Sequence, residues 1–89
     1  MEKTIYSTDY GVFLRCLKEA RKKARLTQEQ LAFHLGESQS FISKVERGER
    51  RIDVIELNSF CSAFGISLEE FSSYLTTELA KSRRKKGSK

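Results

Sequence analysis

Apolar residues recur along this chain at spacings of three and four, the period of helices with one buried stripe. From Asp9 onward, Phe13, Leu14, Leu17, Ala20 and Ala24 mark the first stripe, and Ser7, Thr8 or Asp9 can cap it. The run breaks at Leu26-Thr27. Thr27 and Gln30 then form a capping-box pattern, a Thr N-cap with Gln three residues on. Leu31, Ala32 and Leu35 give the second helix its inner face before Gly36, the usual residue for a left-handed helix end. Ser38 can cap a third helix, predicted over 39–47, with Ile42 and Val45 inward and Gly48 closing it. After the polar loop Glu49-Arg50-Arg51, Asp53 and Glu56 repeat the cap pattern. They open a fourth helix whose apolar positions are Ile55, Leu57, Phe60, Cys61 and Phe64, ending at Gly65. Ser67 and Glu70 make a third capping box, opening a fifth helix with Leu68, Phe71, Leu75 and Leu79. No alternating strand pattern and no internal repeat is present, so the predicted fold is all-α, five short helices joined by short turns. Residues 1–8 have no clear period and read as a loose N-terminal arm. Residues 9–81 read as the helical domain. Residues 82–89, with no apolar side chain, read as a disordered basic tail.

Composition narrows the possibilities. With 89 residues, 38% of them hydrophobic, the chain suits one domain with one modest core. No apolar run nears the roughly 20 residues that span a bilayer, and no charged segment followed by an apolar one opens the chain as a secretory signal would. The expected compartment is the cytoplasm, with no membrane partner. The formal net charge is +5, but the charges of residues 1–81 cancel and the whole excess sits on 82–89. Net charge alone therefore makes a weak case for nucleic acid, and the placement of residues must make it. The basic run from Arg83 to Lys86 either only solubilises the chain or adds a salt-sensitive, sequence-blind contribution to DNA affinity.

Candidate chemistry of other kinds is sparse. Cys16 and Cys61 lie far apart inside apolar patterns and read as buried free thiols rather than a disulfide framework. His34 is the single histidine and, with two distant cysteines, lacks zinc-site spacing. No metal and no cofactor are expected. The sequence has no carboxylate pair, nucleophile–base pair or Gly-rich phosphate loop, so no catalytic residue and no enzymatic activity are expected.

Residues 28–47 carry the functional pattern. Ala32 is small where two helices would cross closely, and Gly36 permits the positive φ of a sharp corner. Leu31, Leu35, Ile42 and Val45 would fix the second helix against the third. That packing leaves Gln39, Ser40, Ser43 and Lys44 on the outer face of the third helix, near its N-terminus. A helix fits the major groove of B-DNA and its first residues reach base edges. There Gln can pair bidentately with adenine, Ser can meet any base, and Lys can reach guanine or phosphate.

The stretch LTQEQLAFHLGESQSFISKVERGERRIDV resembles the Cro/CI-type helix-turn-helix domain, the XRE family of phage repressors, restriction–modification controller proteins and bacterial regulators. The resemblance covers about residues 10–75. It rests on Gln at the start of both motif helices, Gly at the corner, and Glu-Arg-Gly closing the third helix. It implies a lambda-repressor-like fold of five helices. It implies that Gln28 holds a backbone phosphate and that Gln39, eleven residues later, reads an adenine, the two side chains being able to bond each other. Ser40, Ser43 and Lys44 match the remaining base-reading positions. Arg47, Arg50 and Arg51 match backbone contacts after the recognition helix. Arg21 and Glu46 match an ion pair joining the first helix to the end of the third, expected here as a partly buried strut.

Two positions stay open. Glu37, in a turn position often apolar in helix-turn-helix proteins, either faces solvent or weakens non-specific DNA binding. Phe41 either touches a thymine methyl or packs on a neighbouring helix.

One recognition helix reads few base pairs, so a homodimer on an operator with two half-sites is expected, the half-sites about 34 Å apart. Ile66, Phe71, Tyr74, Leu75 and Leu79 are the candidate two-fold interface, or else they only seal the monomer core. With no second domain in the sequence, no small-molecule effector is expected. The leading expectation is a repressor-like regulator of transcription. The alternative is a protein-interaction module, such as the antitoxin of a toxin–antitoxin pair, with DNA binding secondary.

Overall fold

The computed structural model describes residues 8–87, with side chains as far as Arg83. Five helices follow one another: α1 (Thr8–Lys23), α2 (Gln28–Leu35), α3 (Gln39–Glu46), α4 (Val54–Phe64) and α5 (Leu68–Gly87). No strand occurs among the described residues.

The caps form as the sequence specifies. The Thr27 hydroxyl accepts from the Gln30 N–H while the Gln30 side chain accepts from the Thr27 N–H, closing the box at the start of α2. Asp53 with Glu56 and Ser67 with Glu70 do the same for α4 and α5. Ser38 accepts from the Phe41 N–H at the start of α3. Each such cap satisfies backbone donors that a helix start leaves without partners, typically worth about 1 kcal/mol. Gly36 ends α2 at φ 69°, in the left-handed region where a side chain is strained. The corner between α2 and α3 depends on it. Arg25, at φ 62° after α1, takes up the same conformation without being glycine.

Leu17, Leu31, Ile42, Val45, Phe60 and Phe71 are fully buried and bring all five helices to one core. Burying one such side chain stabilises by about 1.5–3 kcal/mol. Cys16 and Cys61 are free thiols inside this core, and burial pushes both thiols up from their ordinary range. α2 packs on α3, and α5 lies along α1. Polar contacts lace the α1–α5 seam: Arg15 to Glu78 at 3.2 Å, and the Tyr74 hydroxyl donating to Glu19 at 3.0 Å.

Three expectations need correction. α5 does not end at Lys81 in a disordered tail but runs to Gly87. A helix satisfies its own backbone and needs no apolar residue to continue, and Arg83 reaches back to Asp9 on α1 at 3.0 Å. Helix α1 begins at Thr8, the last residue assigned to the arm; positions 1–7 of that arm and 88–89 of the tail lie outside the described residues. Ile55, assigned to a core-facing position, is 73% exposed, because the first turn of α4 projects beyond the core.

Candidate nucleic-acid interface

The outer edge of the α2–α3 pair is built from a buried charge outward. Arg21 on α1 and Glu46 at the end of α3 form a two-pronged ion pair, with Nε to Oε2 at 2.7 Å and Nη2 to Oε1 at 3.1 Å. Both side chains are nearly sealed from water, 10% and 2% exposed. The remaining Arg21 terminal nitrogen donates to the Leu26 carbonyl at 2.8 Å, tying the turn after α1 into the pair. A buried pair of this kind holds geometry, and losing one partner strands the other charge.

From that pair a row of hydrogen bonds climbs to the surface. Gln28 Nε2, in the first turn of α2, donates to Glu46 Oε1 at 3.0 Å. Gln39 Nε2, in the first turn of α3, donates to Gln28 Oε1 at 3.3 Å. Gln28 is half-buried and Gln39 is exposed. The two glutamines, eleven positions apart, meet across the packed α2–α3 pair. Ser40 and Lys44 are exposed beside Gln39, while Ser43 is half-buried.

The arginines after α3 are arranged differently. Arg47 makes a two-pronged ion pair with Glu49, at 3.0 and 3.1 Å, and its other terminal nitrogen donates to the Ser43 hydroxyl. The hydrogen bond from Arg47 holds the Glu49 carboxyl below the ordinary carboxylate range. Arg50 pairs with Glu56 at 3.0 Å and lies over the Phe41 ring, 4.9 Å from its centre. Arg51 lies over the Tyr10 ring at 4.2 Å. Such contacts at exposed sites are weak, but each cation already has a partner within the chain. Phe41 also faces Phe60, their ring centres 6.5 Å apart, so it packs on α4. Glu37 is exposed.

The two sets of predicted residues thus fare differently. Gln28, Gln39, Arg21 and Glu46 form one connected unit, while Arg47, Arg50 and Arg51 sit in a loop whose cations lean on local acids and rings. Two parts of this arrangement escape the sequence pattern. One is the Gln28–Glu46 bond, across eighteen positions. The other is the double use of Glu56, which caps α4 and holds Arg50. The alternation of Arg47 with Glu49 is a readable sign of the ion pair between them.

Of the candidate two-fold residues, Phe71 needs correction. Phe71 is 0% exposed and can give nothing to a second chain without unfolding. Tyr74, Leu75 and Leu79 pack partly buried against the core, along the α1–α5 seam. Ser72, Ser73, Thr76 and Thr77, exposed on α5, are polar, while Ala80 is exposed and apolar. Ile66 remains partly accessible at the corner between α4 and α5. Among the described residues no helix is long and apolar enough to cross a membrane, and no group of His, Cys, Asp or Glu is placed to hold a metal ion.

Comparison with known proteins bears on this arrangement. Residues 17–71 match the family described as helix-turn-helix. An XRE-family-like protein from Pseudomonas syringae pv. tomato str. DC3000 is 45% identical, with a TM-score of 0.75 over 85% of this chain and 93% of that one. No curated protein matches. The matched segment holds the whole α2–α3 unit together with Arg21 and Glu46.

Proposed function

The chain belongs to the XRE family of helix-turn-helix DNA-binding regulators, and from that premise we propose that it is a sequence-specific repressor of transcription. In this reading α3 lies in the major groove of operator DNA. Gln39 pairs with adenine, Ser40 and Lys44 extend the readout, and Gln28 holds a phosphate at the start of α2. Arg47, Arg50 and Arg51 approach the backbone after exchanging their acidic or aromatic partners for phosphate. Binding excludes polymerase from the promoter by occupancy, and no catalytic step is involved. The chain binds as a homodimer on two half-sites about 34 Å apart, with a two-fold contact that can draw on Ile66, Tyr74, Leu75 and Leu79, each partly accessible. The cytoplasm, where the DNA is, is the site of action.

The observation that carries this reading is the hydrogen-bonded pair Gln28–Gln39 at the outer edge of α2 and α3, anchored on Glu46. Selection of bound duplexes from a random pool tests it. The expected result is an enriched, two-fold symmetric motif whose binding weakens steeply with salt. A pool that stays random contradicts sequence-specific binding, and an enriched motif without symmetry contradicts the dimer.

A second reading has one observation in its favour. Phe33 is 85% exposed on α2, an apolar ring left open to a protein partner. A protein-interaction module, with DNA binding secondary, would lose its partner on Phe33→Ser and keep any DNA affinity.

A further inference from the structure

We infer that Glu46 is a specificity-positioning residue: its carboxylate, through Gln28, fixes which way the amide of Gln39 faces the DNA. The inference rests on the proposed reading of bases by Gln39 and names what sets its preference.

A carboxylate beside a guanidinium has no proton to give and can only accept. Glu46 Oε2 takes the Arg21 Nε–H at 2.7 Å, and Oε1 takes Arg21 Nη2 at 3.1 Å and Gln28 Nε2 at 3.0 Å. Gln28 is therefore obliged to turn its NH2 group inward. The opposite amide orientation would set its carbonyl oxygen against a carboxylate oxygen, in a setting where Glu46 is nearly sealed from water. With its nitrogen inward, Gln28 presents its carbonyl outward. Gln39 must meet that carbonyl as a donor, and it does, through Nε2 at 3.3 Å.

The consequence lies at the outer end. Gln39 has one N–H committed to Gln28, leaving its carbonyl and its second N–H for a ligand. One acceptor beside one donor complements the adenine edge, whose N6 donates and whose N7 accepts. It does not complement guanine, whose O6 and N7 both accept. Were the polarity of the row reversed, Gln39 would accept from Gln28 and turn both N–H groups outward, an arrangement suited to guanine. A buried charge that never touches DNA thus selects between two purines at the surface. The same row holds the Gln39 side chain before DNA arrives, which reduces the ordering cost on binding.

The experiment reverses the polarity. The double variant Arg21→Glu, Glu46→Lys retains an ion pair but places a donor-only group under Gln28. Thermal melting checks that it folds, and binding is measured on four duplexes differing only at the base pair that Gln39→Ala identifies. The expected result is a preference moved from adenine toward guanine, with the adenine-to-guanine affinity ratio lowered about fivefold or more. A folded double variant that keeps the wild-type ratio overturns the inference. Gln28→Met decides the matter if the double variant does not fold, because it cuts the row and leaves the Arg21–Glu46 pair in place. The same drop in the ratio supports the inference. A loss spread evenly over all four duplexes overturns it, since that marks Gln28 as a phosphate contact alone. A wild-type chain with no base preference at all contradicts the proposed function itself, a result distinguishable from an unmoved ratio.

Discussion

The start of α3 and the loop that follows it both face outward with polar side chains, yet they are organised on opposite principles. At the start of α3, uncharged amides are held by a hydrogen-bonded row rooted in a buried ion pair. In the loop, charged arginines are held by exposed carboxylates and aromatic rings. Fixed neutral groups discriminate, because a misplaced donor or acceptor is left without a partner when the base is wrong. Cations that meet phosphates, as proposed for the loop arginines, add affinity that ignores sequence and falls with salt. In the proposed reading, the acids beside those arginines temper this second contribution, which leaves less of the affinity indifferent to sequence. The charges of residues 1–81 cancel in the sequence, so net charge over that span does not set the two regions apart and placement must.

The largest expected effect breaks the rooted side. Arg21→Ala removes the guanidinium from a Glu46 that is 2% exposed and should cost about 3–5 kcal/mol of stability. Denaturant unfolding measures it, and a loss below about 1 kcal/mol would mean that the pair holds nothing in place.

Next is the corner that brings the two glutamines together. A Cβ at Gly36 would meet no atom within 4 Å, so Gly36→Ala introduces only the strain of φ 69°. The expected loss is about 1–2 kcal/mol, read from the shift in melting temperature.

The loop side is sharpened by Glu49→Gln. Arg47 and Glu49 are each about half exposed, so stability should hardly move. Affinity should instead rise, about two- to fivefold for every duplex alike, with the salt dependence steepened by about one phosphate contact. A gain confined to one sequence would contradict the division drawn above. Because Arg47 lowers the Glu49 carboxyl, the pair's contribution is present above the ordinary carboxylate range. It is lost only as pH falls through the lowered value of the folded state.

The smallest effect lies on the far side of the molecule. Burial and the hydrogen bond to Glu19 push the Tyr74 hydroxyl up to about 12. The folded value lies above the unfolded one, so this contribution is intact below pH about 10. It is lost as pH rises toward about 12. Ultraviolet titration of phenolate should show one tyrosine ionising late, and Tyr74→Phe should remove that step.

Much of the fold is legible in the sequence because its punctuation is local. Thr27 with Gln30, Asp53 with Glu56 and Ser67 with Glu70 each announce a helix start within four residues, and Gly36 and Gly65 announce ends. The apolar period of α2 and α3 places Leu31, Ile42 and Val45 in the core, where they are found. What escapes is decided by tertiary neighbours. Phe71 and Ile55 both carry the helical period, but one is buried, its ring edge-on to Phe13 of α1, and the other is exposed. Arg83 on the α5 extension reaches Asp9, seventy-four positions away, and no local pattern reports that. Within the candidate site, the residues were readable from motif spacing, but the direction of each hydrogen bond was not. Donor and acceptor roles follow from the acceptor-only Glu46, which enters the row only once the helices are packed.

The central claim is that the face of α3 beginning at Gln39 reads bases, and Gln39→Ala tests it most directly. Affinities of the wild-type chain and this variant are compared on the selected duplex and on duplexes changed one base pair at a time. The account predicts unchanged folding, a loss of about 1–3 kcal/mol on the selected duplex, and relaxed preference at a single base pair. Equal affinities and an unchanged pattern of preference across all the duplexes would contradict it.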